Sequence, residues 1–228
     1  MAYPIVELRQ YTLHPGQRDV LIDLFDREFV ETQEACGMTI LGQFRDLDRP
    51  DRFVWMRGFE SMPLRSAALQ QFYGGPVWKA HAAVANATMV DVDDVLLLRP
   101  ATLRPGFFLV GARPAVGSRR PGGLVLGTVC LLPEPVSAEF EAEFDRSVRP
   151  ALASSGGTPF ACLSTEYAEN TFPALPVRTG VHAFVWLSRF AGPAALADHC
   201  GRTRDVVDSL PGEVQYLRLA PTDRSWLR

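Results

Sequence analysis

Apolar positions along this chain switch between a spacing of two and a spacing near 3.6, and each switch marks an element. Residues Ile5–Leu13 are rich in β-branched and aromatic side chains and run into His14-Pro15-Gly16, which predicts a strand ended by a turn. Over residues 17–36, Leu21, Leu24, Phe25, Glu28 and Thr32 fall along one helical face, and Gly37 supplies the stop. Residues 38–47 and 52–60 read as a hairpin joined at Asp48-Arg49-Pro50-Asp51. A second helical stretch covers residues 63–72, breaks at Gly74-Gly75-Pro76 and resumes over 77–85, and a strand over 89–99 completes the pattern β-α-β-β-α-β.

The same pattern returns. Phe25-Asp26-Arg27 reappears as Phe144-Asp145-Arg146, and the strand beginning Phe53-Val54-Trp55 as one beginning Phe184-Val185-Trp186. The first pair is 119 residues apart and the second 131, so the later copy carries 12 extra residues between its two strings. Recurrence in constant order indicates internal duplication. Asn170, Pro173, Pro176 and Gly180 place the extra residues in a loop over 169–180. The second copy is expected as strand 124–132, helix 137–153, hairpin 159–169 with 181–189, helix 193–210 and strand 214–219.

An antiparallel four-stranded sheet that covers one face with its helices needs cover for the other, and two such sheets can cover each other. The expected fold is therefore α+β, two tandem ferredoxin-like units forming an intramolecular pseudo-dimeric α+β barrel. The units are placed at residues 1–104 and 123–228, with a connector at 105–122 in a stretch rich in proline and glycine. The apolar part of that connector, residues 107–110, is expected to pack against the sheet.

Composition narrows the function classes. A net charge of −3, from 26 acidic and 23 basic side chains spread along the chain, gives no nucleic-acid footprint. Residues 1–20 contain Glu7, Arg9, Arg18 and Asp19 without an apolar core, and no apolar run approaches the ~18 residues of a spanning helix, so a cytoplasmic protein with no membrane contact is expected. The four cysteines include no C-x-x-C pair, and His14, His81, His182 and His199 form no metal-binding spacing, so no metal is expected. No nucleotide-binding glycine pattern is present, and no cofactor is expected.

Alternation along the first strand puts Glu7, Arg9 and Tyr11 on one face, where Arg9 could hold an anionic or enolate oxygen and Tyr11 could donate a hydrogen bond. The competing reading is a structural Glu7–Arg9 ion pair. The stretch from Tyr73 to His81 has no counterpart in the second copy, which makes it a candidate for function held on one side. Trp78 and His81 share a helical face there, so His81 could serve as a general base beside an indole; equally, both could simply pack. The catalytic candidates are thus His81, Arg9 and Tyr11. Trp78, Trp55, Glu28 and Tyr73 are candidates for binding substrate, with Glu28 also readable as a solvated helix-edge residue.

The run Glu7-Leu8-Arg9-Gln10-Tyr11-Thr12-Leu13-His14-Pro15-Gly16 resembles the opening strand of NIPSNAP-domain proteins, which read E-L-R-x-Y-x-L-x-P-G. Pro76-Val77-Trp78 resembles the P-x-W element of the same domain, with Gly75 standing where an aspartate often precedes the proline. The resemblance spans residues 3–98 and weakens over 123–220. It implies a dimeric α+β-barrel fold, shared by cofactor-free oxygenases, polyketide cyclases, muconolactone-type isomerases and some haem-binding enzymes. The expected partner is a small molecule, bound by a monomer with an internal pseudo-dimer or by a homodimer. Two functions follow: a cofactor-independent oxygenase, isomerase or cyclase on an aromatic, polyketide-like or other apolar metabolite, or a non-catalytic scaffold with a packed barrel.

Overall fold

The computed structural model describes residues 3–101, 107, 109, 111–119 and 121–228. The first unit contains β1 (Ile5–Leu13), α1 (residues 18–35), β2 (Thr39–Asp46), β3 (Arg52–Phe59), α2 (Met62–Tyr73), α3 (Pro76–Ala87) and β4 (Met89–Pro100). The second contains β5 (Leu124–Leu132), α4 (residues 138–154), β6 (Ala161–Thr165), β7 (His182–Phe190), α5 (Pro193–Asp208) and β8 (Glu213–Pro221). The eight strands close into one antiparallel barrel in the order β1-β3-β2-β8-β5-β7-β6-β4. Each unit contributes its strands in the same relative order, and the units join where β2 meets β8 and β4 meets β6. The expected pseudo-dimeric barrel is the observed fold.

Alternation on the strands sorts side chains to two sides. Val6, Leu8, Phe44, Val54 and Met56 of the first unit meet Val125, Val129, Leu163, Val185 and Leu217 of the second in a packed barrel interior. The outer faces lie under helices: Ile5, Tyr11, Phe53 and Trp55 under α1, α2 and α3, and Cys130, Phe184 and Trp186 in the second unit's own layer with α4. Phe107 is buried with the interior cluster and Leu109 packs on it, as expected of the connector, whereas Phe108 and Val110 lie outside the described residues.

The string shared by both copies marks a common irregularity. Phe25–Phe29 and Phe144–Val148 are π-helical turns inside α1 and α4. A π turn inserts an extra residue, so the face toward the sheet shifts by one position. The regular spacing predicted Glu28 and Thr32 on that face, but Phe29 and Gln33 occupy it, buried to 3% and 1% exposure. The break between α2 and α3 falls at the expected glycines, because a Cβ on Gly74 or Gly75 would come within 2.8 Å of a carbonyl oxygen of Gln70 or Gln71.

Two expectations need correction. The strand predicted over 159–169 is only Ala161–Thr165; the Glu166 N–H makes one more bond to β4, to the Leu97 carbonyl at 2.9 Å, and the chain leaves the sheet after it. Residues beyond β8 were given no role, yet Leu227 enters the barrel interior and its N–H donates to the Leu41 carbonyl at 3.0 Å. Among the described residues no helix is long and apolar enough to cross a membrane.

Candidate functional site

Glu7, Arg9 and Tyr11 do share a face, but it is the outer, helix-covered face of β1 and not the barrel interior. Across the ladder they stand opposite Arg57, Trp55 and Phe53 of β3. Three fully buried guanidinium groups gather around one fully buried carboxylate. Glu7 Oε2 accepts from Arg9 Nη1 at 2.7 Å and from Arg57 Nε at 2.8 Å, while Oε1 accepts from Arg65 Nε at 2.7 Å. Arg57 Nη1 also donates to Gln33 Oε1 at 3.1 Å, and Arg65 Nη1 to Asn170 Oδ1 at 3.0 Å. The ion pair weighed as the structural reading therefore exists, but as part of a larger, solvent-free cluster. Burial pushes the Glu7 carboxyl up, but the guanidinium groups of Arg57, Arg9 and Arg65 outweigh it and hold the group well below the usual carboxylate range.

Arg9 links this cluster to a cleft. Its Nε donates to the Tyr11 hydroxyl at 2.9 Å, and its guanidinium lies 5.3 Å from the centre of the Tyr11 ring and 5.5 Å from that of Trp55. Burial raises the Tyr11 pKa above the ordinary phenol value despite the nearby Arg9 charge, so the hydroxyl keeps its proton at neutral pH. Tyr11, Trp55 and Gln33 wall one side of a cavity of about 90 Å³; Phe29, Phe72, Tyr73 and Trp78 wall the helix side. The rings contact one another edge to face, as at Tyr11–Trp55 (5.8 Å, 87°) and Tyr73–Trp78 (4.8 Å, 75°).

The cleft is roofed by the other half of the chain. Leu175 of the 169–180 loop lines it, and Phe172 stacks on Tyr73 with centroids 5.9 Å apart. Arg178 N donates to the Val95 carbonyl at 2.9 Å, tying the far end of the loop to β4. The extra residues of the second copy thus cover the site of the first.

Of the residues singled out from sequence, Arg9, Tyr11, Trp55, Tyr73 and Trp78 come together. His81 and Glu28 do not join them. His81 sits at the outer rim, its side chain 34% exposed, with Nε2 3.7 Å from Glu28 Oε2, and neither residue walls the cavity. Arg57, Arg65, Gln33, Asn170 and Leu175 were missed. Arg57 carried a signal: the repeated strand reads Arg57 in one copy and Ser188 in the other.

That difference extends to the whole cluster. At the two repeat offsets Glu7, Arg9, Tyr11 and Gln33 correspond to Leu126, Thr128, Cys130 and Leu152, and Arg57 and Arg65 to Ser188 and Leu196, all buried. The second unit keeps the fold and lacks every charged member of the site. Among the described residues no group of three or more His, Cys, Asp or Glu is placed to hold a metal ion.

Several solved structures share the fold over nearly the whole chain. A candidate monooxygenase of Fusobacterium nucleatum superposes with a TM-score of 0.56 at 9% identity, covering 96% of this chain and 93% of the other. A candidate monooxygenase of Lactobacillus acidophilus gives 0.54 at 13% identity, covering 96% and 94%. An anthrone oxidase-like protein gives 0.53 at 13% identity, covering 96% and 91%. No curated protein shows significant similarity to the chain. The NIPSNAP family model matches residues 6–105, the span that holds Glu7, Arg9, Arg57 and Arg65 of the buried cluster. Residues 6–105 of this chain are thus similar to a NIPSNAP domain.

Proposed function

We propose that the NIPSNAP-like half binds a small, largely apolar aromatic metabolite in the cleft between β1, β3 and helices α1–α3, and turns it over there as a cofactor-independent oxygenase, isomerase or cyclase. The observation that carries this reading is the Tyr11 hydroxyl on the cleft wall, accepting the Arg9 Nε–H. Its own proton is left for an oxygen of the bound molecule, and a phenol polarised by a guanidinium suits an oxygen that gains negative charge as an enol or enolate forms. The aromatic walls supply shape for a flat ring system.

Among the three reactions the full-length structural neighbours favour an oxygenase. With anthrone as substrate the ring methylene loses a proton, the enolate passes electrons to dioxygen, and loss of water from the peroxide leaves the quinone. Anthrone and one O₂ become anthraquinone and one H₂O, and Tyr11 would hold the enolate oxygen. A cavity of about 90 Å³ is small for a tricyclic molecule, so entry requires the Phe172 and Leu175 roof to swing out.

The test is dioxygen uptake with anthrone. The intact protein is expected to exceed the spontaneous rate, and Tyr11→Phe to lower kcat/KM by ~10²-fold, the order for loss of one preorganised donor, in a protein that still folds but melts lower because the buried Arg9 Nε–H loses its acceptor. His81→Gln, at the rim, is expected to leave the rate within about twofold. The small volume of the cleft favours a second reading, a non-catalytic scaffold. Under it, uptake equals the spontaneous rate and Tyr11→Phe changes stability alone.

A further inference from the structure

The buried cluster does not balance its charge. Glu7 carries one negative charge against the three positive charges of Arg9, Arg57 and Arg65, and all four side chains have 0% exposure. The surrounding partners are neutral: Gln33, Asn170 and a Tyr11 that stays protonated. Among the described residues no second carboxylate is a main influence on Glu7 or Arg65. The Nη2 atoms of Arg9, Arg57 and Arg65 and the indole Nε1 of Trp55 are buried without a hydrogen-bond partner among the described residues. Every one of these atoms is a donor. An excess of two positive charges and four idle donors, in a region shielded from water, is costly as it stands and strongly attractive to an anion. The excess lies directly behind the polar wall of the cleft, since Tyr11, Gln33 and Trp55 each line the cavity and each touches Arg9 or Arg57.

We propose that the ligand of this cleft is an anion, an aromatic molecule whose carboxylate or ionised enol oxygen sits against the Tyr11, Gln33 and Trp55 wall with the arginine cluster behind it. This rests on the cleft reading above and adds the charge of the ligand to it. Arg57 and Arg65 are then positioning residues that act through the field they create, while Glu7 trims the excess and fixes the guanidinium groups in place.

The experiment is titration calorimetry on the full chain with benzoate and with benzamide, its neutral analogue of nearly the same shape, at one ionic strength and pH 7. Benzoate is expected to bind at least about tenfold more tightly, the order for one charge-assisted hydrogen bond. Arg65→Gln removes one unit of excess charge without touching the cleft wall and should shrink that ratio by several-fold. Glu7→Gln adds one unit and should widen it, so the two variants move the ratio in opposite directions and a general loss of folding cannot imitate the pattern. Equal binding of both compounds, with Tyr11→Phe weakening both, overturns the anion and leaves the cleft reading standing. A benzoate preference that neither variant alters also overturns it, because the cluster would not be its source. Binding of neither compound overturns both readings.

Discussion

Two carboxylates in the first unit are shifted in opposite directions, and the shifts make opposite predictions for stability. The folded-state pKa of Glu7 lies below its unfolded value, so its contribution is present above about pH 4.5 and is lost as pH falls through the folded value. Glu7→Gln should therefore cost about 3–5 kcal/mol at pH 7, leaving three guanidinium groups without their anion, and progressively less in acid. Asp26, in the π turn of α1, is raised from 3.8 to about 6, chiefly by burial, against the Gln43 amide that donates to it at 3.0 Å. A raised carboxyl gives stability that is complete below pH 3.8 and is lost as pH rises through about 6. Asp26→Asn should then melt higher than the parent by the equivalent of ~3 kcal/mol at pH 8 and match it near pH 4. Denaturant titrations at the two pH values check both variants. A parent protein whose gap to Asp26→Asn is independent of pH would remove the buried charge as the cause. At this scale the sequence disclosed Arg9 and Tyr11 through strand alternation and marked Arg57 as a difference between the repeats, but it put neither Arg57 nor Arg65 beside Glu7. Each reaches Glu7 from a separate element, 50 and 58 residues away.

Among the elements, the two π turns and the 169–180 loop decide the site. The recurring Phe-Asp-Arg string was visible as a repeat, but a 3.6-residue period carries no trace of a widened turn. The reading therefore aimed Glu28 at the sheet, where Phe29 and Gln33 stand. Phe29 meets Trp78 at 5.6 Å and Gln33 holds Arg57, so the shift by one residue supplies both an apolar and a polar part of the cleft. The loop was located correctly by its offset, yet its role depends on crossing to the other unit. If the loop is the roof, Phe172→Ala should remove the stack on Tyr73, costing about 1 kcal/mol because the ring is only partly buried. Ligand association and dissociation should both quicken, read as stopped-flow changes in indole fluorescence from Trp55 and Trp78. Unchanged rates would place the entrance elsewhere.

For the whole molecule, closure within one chain has a direct consequence. Among the described residues every strand has two partners, so the barrel leaves no sheet edge to pair with another copy. The full chain is expected to be a monomer by light scattering. A fragment of residues 3–101 would expose Val6, Leu8, Phe44, Val54 and Met56, which the second unit covers in the intact protein. That fragment is expected to dimerise or aggregate, and a monodisperse monomer would show that the inner face needs no cover. The solid interior also changes what counts as evidence for an enzyme. A packed barrel was expected to argue against catalysis, but the cleft lies between sheet and helices, where a filled interior provides a rigid floor.

Local spacing was enough for the elements, the duplication and the barrel, because hydrophobic period and turn residues act over a few positions and repeats announce themselves at any distance. The pairing of faces followed from the need of each sheet for cover. Tertiary structure alone decided which face of β1 looks inward, since alternation separates two sides without naming them. It also decided the charge imbalance, because Arg57 and Arg65 become neighbours of Glu7 only after β3 and α2 fold against β1.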